Sequence, residues 1–264
     1  GAMKYEDGVR RIPAIALSNP DADLLDRQLA SGREVIFRMT STSRYLPNEI
    51  SANVIGEIPG REKPEEIVLL AAHLDSWDNG TGAHDDAAGV AIITAAARLI
   101  GDLRRPPQRT IRVVLYANEE FGLSGGDAYA VAHAKELDRH VLAMEADFGA
   151  GRVWQFSSRV PEDRLPQVAA IFELIKPLDI QWSGNDAYGG ADIGPIRKLG
   201  VPVVQPGQDG TAYFDVHHTA NDTLDKIDPV QLNQNVAVYA TAAYVASMLD
   251  GDFGRLPVEA KKVE

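Results

Sequence analysis

The chain has 264 residues, 45% of them hydrophobic, and a formal net charge of −12. That size suits one large α/β domain or two small ones with an ample core, and the charge argues against a nucleic-acid partner, whose phosphates need clustered positive charge. No apolar run reaches the roughly 18–20 residues of a membrane-spanning helix. Cysteine is absent, which removes disulfides and thiolate ligands and fits either the cytoplasm or a disulfide-free exported protein.

Residues 1–3, Gly-Ala-Met, have the look of a protease-cleavage scar, which would leave any signal peptide out of view. "IPAIALSN" reads as a short apolar segment, "DADLLDRQLASG" as a short helix ended by Gly32, and "EVIFRMTSTSRYL" alternates as a strand would. Residues 1–60 are expected to be an appendage, with "GEIPGREKPEE" as the junction to a main body over 61–256 and a tail over 257–264. In the main body, "EIVLLAA" (66–72), "TIRVVLYA" (110–117), "HVLAMEA" (140–146) and "VPVVQP" (201–206) are short, β-branched and apolar on both faces. Strands covered by helices on both sides have that texture. Between them, "DAAGVAIITAAARLIG", "LSGGDAYAVAHAKELD" and "DRLPQVAAIFELI" predict helices. A last helix runs over about 229–250, with Asp228 as N-cap, Pro229 at its first position and Gln231 placed for a capping box. The alternation implies an α/β fold: a mixed, mostly parallel sheet with helices on both faces. No internal repeat or low-complexity segment is visible.

Acidic residues fall where those strands end. "HLDSWDNGTGAHDDAAG" (73–89) holds four aspartates and neither Lys nor Arg. His73 and Asp75 follow the first strand, Glu119 and Glu120 the second, and Asp147 the third, while "DVHHTANDT" (215–223) follows the fourth. Ligands in open α/β sheets bind at the carboxyl ends of strands, so these groups should converge on one crevice. Taken singly each is unremarkable: Asp85 or Asp86 would serve as a helix cap near Ala87, and a Glu-Glu pair is usually a solvated face. Together, His73, Asp85, Glu120, Asp147 and one of His217 and His218 offer imidazole and carboxylate donors suited to zinc, with cobalt or manganese as substitutes. Three carboxylates, two divalent cations and one hydroxide sum to zero charge, which favours two ions over one.

The stretches "AAHLDSWDNGTGAHDDAAG", "YANEEFGLSGGDAYA", "MEADFG" and "YFDVHHTANDTLDKIDP" resemble the M28 zinc exopeptidases, in particular the plasma glutamate carboxypeptidase (carboxypeptidase Q) branch and its bacterial relatives, over about residues 50–250. The resemblance implies a phosphorylase/hydrolase-like fold in which His73 and Asp147 hold one zinc, Glu120 and His218 the other, and Asp85 bridges. His217 is the less favoured histidine. It implies Asp75 accepting a hydrogen bond from His73, a cis peptide bond between Asp85 and Asp86, with Asp86 behind the ligands, and Glu119 as general base. Tyr188 is placed as donor to the oxyanion of the tetrahedral intermediate, with mere packing on a glycine-rich loop an equal reading. Asp192 is expected to support that loop, and together with Trp77, Phe121 and Phe214 to line the substrate pocket. The family's substrates imply dipeptides or short peptides cleaved at the amino end, despite the carboxypeptidase name, and its members imply export to the periplasm or beyond and a possible homodimer. Family members carry a longer N-terminal region with an inserted protease-associated domain, whose closing portion residues 4–45 resemble.

Two other enzyme readings and one non-enzymatic reading were weighed. M20 peptidases share the ligand order but insert a lid domain where only about seventy residues separate Asp147 from His218. A single-zinc cyclising acyltransferase is disfavoured because both metal sites look complete. An inactive binding module would be expected to lose ligands or the base, and this sequence keeps all five candidate ligands and Glu119.

Overall fold

The computed structural model describes residues 8–44 and 46–259. The Gly-Ala-Met stretch, Tyr45 and the end of the expected tail lie outside them. Two compact units divide between Ile50 and Ser51, ten residues before the boundary read from the sequence. In the first, α1 (Asn19–Ala30) forms where a helix is expected, and the Ser18 side chain accepts from the Asp21 N–H at its start. The strand expected over 34–46 does not form among the described residues. Its alternation finds no paired neighbour, and Ile36 and Phe37 stay exposed.

The second unit carries a seven-stranded sheet in the order β1-β3-β2-β4-β7-β5-β6. The strands are β1 (Val54–Ile58), β2 (Lys63–His73), β3 (Arg109–Tyr116), β4 (His140–Glu145), β5 (Val153–Arg159), β6 (Gln181–Trp182) and β7 (Val203–Gln208). β3, β2, β4 and β7 run parallel, β5 and β6 are parallel to each other, and β1 meets β3 and β5 meets β7 antiparallel. Parallel strands feed a right-handed crossover through a helix, so both faces become covered. On one face α2 (Ala88–Gly101), α4 (Leu165–Ile175) and α7 (Pro229–Met248) pack on Val68, Leu70 and Ala72 of β2. On the other, α3 (Ser124–Ala132) and α5 (Gly194–Lys198) pack on Ile67, Leu69 and Ala71. This fold is the mixed, mostly parallel α/β architecture expected. A short helix, α6 (Tyr213–Val216), precedes the two histidines. No helix among the described residues is long and apolar enough to cross a membrane.

The helix expected over 123–138 breaks at His133, whose backbone leaves the helical region, and a 3-10 turn completes the segment. At the start of α7, Asp228 caps the Val230 N–H as expected. Gln231 gives its amide N–H to the Asp228 carboxylate instead of closing the capping box, and its oxygen accepts from the Arg152 N–H. Because β2, β3 and β4 are parallel and in register, their carboxyl ends at His73, Tyr116 and Glu145 lie together.

Candidate metal centre

The site is built where strands give way to loops. His73 is the last residue of β2, and its backbone N–H is held by Asp86 Oδ2 at 3.0 Å, while Asp86 Oδ1 accepts from the Gly89 N–H at the start of α2. One buried carboxylate thus fixes both the strand end and the helix start. The peptide bond between Asp85 and Asp86 is cis. Asp222, from the loop after α6, accepts from the His84 N–H (2.6 Å) and the Asp85 N–H (3.2 Å).

Asp85 stands at the centre. Its Oδ1 lies 3.1 Å from His73 Nε2, and its Oδ2 lies 3.0 Å from His218 Nε2. His73 Nε2 also lies 3.2 Å from Asp147 Oδ1, and His218 Nε2 3.0 Å from Glu120 Oε2. The expected pairings, His73 with Asp147 and Glu120 with His218, therefore fall on opposite sides of Asp85. His217 is stacked on His218 with ring centroids 3.5 Å apart, and its Nε2 stands 3.3 Å from the same Asp85 oxygen. Donor atoms within 4.8 Å also group Asp85 with His217 and His218, and His73 with Asp86 and Asp147. Asp86 is the weaker donor there, since both its oxygens already serve backbone N–H groups. His218 is favoured over His217 because it touches both Asp85 and Glu120.

One expected contact is corrected. Asp75 does hold His73, but through its backbone carbonyl, 3.0 Å from Nδ1, whereas its carboxylate is 3.8 Å away. That fixes Nδ1 as the protonated nitrogen and leaves Nε2 facing the carboxylates. The Asp75 carboxylate instead accepts from the Glu119 N–H (3.0 Å) and the Glu120 N–H (3.1 Å), where the chain turns after β3.

The electrostatics call for a cation. Burial alone would lower the His73 pKa, but the Asp147 and Asp85 carboxylates raise it strongly. Glu119 is pushed up to about 7 by burial and then by Asp147, and Glu120 to about 7 by burial and then by Asp85. Glu120 Oε1 is buried and has no hydrogen-bond partner. Mutually repelling carboxylates, imidazole nitrogens aimed at them and an orphaned carboxylate oxygen are what divalent ions would satisfy. The donor set fits.

Residues 53–243 match peptidase family M28. The chain belongs to that family. Carboxypeptidase Q of Rattus norvegicus is 35% identical over 246 residues, covering 93% of this chain and 52% of that protein. The Homo sapiens carboxypeptidase Q is 33% identical over 250 residues, covering 95% and 53%. The chain thus spans about half the length of these curated relatives. The crystal structure of an M28 peptidase precursor from Shewanella amazonensis is 49% identical, with a TM-score of 0.86 over 98% of this chain and 58% of its own. A zinc aminopeptidase from Bacillus subtilis, 23% identical, matches with a TM-score of 0.60 over 75% of this chain and 50% of its own, a likeness of fold.

The remaining expected residues of this M28 chain sort by position. Trp77 packs on Phe121 (centroids 4.7 Å) and His218 (5.4 Å), and it lines a tight crevice with Asp85, Glu120 and Asp222. Phe214 is exposed and edge-on to Phe148, the neighbour of Asp147. Tyr188 is half exposed, and burial followed by the Glu145 carboxylate raises its phenol pKa, so it keeps its proton. Asp192 does not line an open pocket: it is 0% exposed, with both oxygens unpartnered, and burial followed by Glu145 pushes it up to about 9. A carboxyl that keeps its proton is tolerated inside. Asp222 and Glu145 were missed, although both sit inside motifs quoted for the resemblance. Their partners are backbone groups distant in sequence, which no spacing reveals.

Proposed function

We propose that this chain is a co-catalytic dizinc exopeptidase that cleaves the N-terminal peptide bond of dipeptides or short peptides. The observation that carries the reading is Asp85 spanning two donor pairs, His73 with Asp147 and Glu120 with His218. Membership of a peptidase family supports it, and so do the zinc aminopeptidase named among the fold relatives and the excess of carboxylate over positive charge at the crevice. Zinc bound by these donors would polarise the scissile carbonyl and acidify the attacking water. Cobalt or manganese would suit the same donors.

The chain's own residues do the rest. Glu119 neighbours a ligand, is hydrogen-bonded through its N–H to Asp75, and has a carboxylate raised to about 7, which suits a base working near neutrality. It takes the proton of the attacking water and delivers it to the leaving amine. Tyr188, protonated and half exposed, donates to the oxyanion that forms on the carbonyl. The substrate's ammonium group finds its partners among the carboxylates, which favours recognition of the amino end. Trp77, Phe121 and Phe214 offer apolar walls for the flanking side chains. An exported location and a homodimer rest on the family resemblance and are read out by cell fractionation and by sedimentation.

The test is hydrolysis of one dipeptide by the zinc-loaded protein in free, N-acetylated and C-amidated forms. Cleavage of the free and amidated forms only is expected. Cleavage of the acetylated form would make the protein a carboxypeptidase, and zinc binding without any cleavage would favour a binding module.

A further inference from the structure

The segment between β6 and α5 carries Tyr188 but has no regular secondary structure, so its backbone N–H groups need acceptors from elsewhere. Ser183 and Ala187 give theirs to the β5 carbonyls of Phe156 and Ser158, and from Tyr188 to Ile193 two side chains supply acceptors. Gln205 Oε1, on β7, accepts from the N–H groups of Tyr188 and Gly189, both at 3.1 Å. Glu145, at the end of β4, accepts from Ala191 (2.9 Å) and Asp192 (3.2 Å) on Oε1, and from Ile193 (2.9 Å) on Oε2. The one residue passed over is Gly190, with φ +151°, where a Cβ would lie 2.3 Å from Glu145 Oε2. Glycine there is what lets the carboxylate approach. The Arg197 guanidinium, ion-paired with Glu259, lies 5.8 Å from the Tyr188 ring centroid.

β4 and β7 are hydrogen-bonded neighbours, and β4 leads directly into Asp147. The Tyr188 loop is thus tied on one side of Gly190 to β7, and on the other to the strand end that leads to a candidate ligand. We propose that Gln205 and Glu145 form a two-point clamp that positions Tyr188 for the proposed hydrolysis. The proposal rests on Tyr188 acting in that reaction, and it adds the residues that aim it. Gln205 is the cleaner of the two, because it lies outside the ligand cluster and needs only a carbonyl-type oxygen to do its work.

The experiment combines backbone hydrogen exchange with kinetics of the zinc-loaded enzyme. Gln205→Leu is expected to speed exchange at the Tyr188 and Gly189 amides about tenfold or more. It should lower kcat by about ten- to a hundredfold with KM nearly unchanged, and Gln205→Glu, which keeps an acceptor oxygen, should restore both. In a Tyr188→Phe background, Gln205→Leu should cost almost nothing further in kcat, since a positioning residue acts through the group it aims. Glu145→Gln repeats the test at the 191–193 amides should the leucine variant fold poorly. Unchanged exchange overturns the clamp. An equal kcat loss with and without the Tyr188 hydroxyl overturns the positioning role, and so does an active enzyme indifferent to Tyr188→Phe. If the wild type cleaves no peptide, the peptidase reading falls, and with it the positioning role.

Discussion

Two histidines at opposite ends of neighbouring parallel strands are equally buried and pushed in opposite directions. His73 closes β2 and is 1% exposed; His140 opens β4 and is 0% exposed. His140 gives Nδ1–H to the Glu136 carbonyl (3.0 Å) and accepts on Nε2 from the Tyr129 hydroxyl (2.8 Å), which itself accepts from Arg112. Burial lowers its pKa to about 4. Arg109, at the same end of the sheet, spends its donors on Glu66 and on the carbonyls of Ala246, Leu249 and Gly251. At the amino end of the sheet donors meet acceptors and charge is balanced. At the carboxyl end carboxylates crowd the His73 ring and raise its pKa, and Glu120 Oε1 goes unpaired. Burial alone therefore does not mark a functional histidine. The unbalanced end is where a cation belongs.

The sharpest break in that comparison is Glu119→Ala, which removes the proposed base and no ligand. Turnover should fall by about 10²–10⁴, with bound zinc unchanged in the same preparation. A variant that loses zinc would make Glu119 a ligand. Asp86→Ala should destabilise the zinc-free protein in urea unfolding by roughly 1–3 kcal/mol for each of its two N–H donors left buried without an acceptor.

At the other end, protonation of His140 works against folding. Its folded pKa of about 4 lies below the unfolded value of about 6.5. The neutral form's contribution is therefore full above pH 6.5 and is lost as pH falls toward 4, up to about 3 kcal/mol in all. Unfolding of the wild type and His140→Gln at stepped pH should show the gap between them narrowing over that window. A gap that stays constant would mean that burial does not hold His140 neutral. The smallest effect is expected at His217, which touches Asp85 but was placed behind His218. His217→Ala should weaken zinc by about tenfold at most, whereas His218→Ala should remove an ion, both read by competition with a chromogenic chelator.

Much of this was legible in the sequence. β2 and β4 are doubly covered strands, so their apolar runs stand out, and the ligands follow those runs at once. β1 and β5 escaped. β1, VIGEI, is an exposed edge strand with glycine and glutamate in its middle, and β5, VWQFSSR, is half exposed with polar residues along it. In both, pairing with β3 or β7 supplies what local composition does not. Conversely, the segment over 34–46 reads as a strand, yet among the described residues it pairs with no neighbour. At the site, the candidate ligands stand out in the sequence because donor chemistry is carried by the side chain itself. The supports stand out less: Asp75 was expected on His73 and instead holds backbone N–H groups, while Asp222, Glu145 and Gln205 went unseen because they too act on backbone N–H groups, which every residue possesses.

The paired site is tested most directly by one number, the zinc retained per chain after reconstitution and desalting. Two ions are expected for the wild type, falling to one in Asp147→Ala and to one in Glu120→Ala, because each removes a donor on a different side of Asp85. A wild type that retains one ion or none, or two single variants that both lose everything, would contradict the paired site.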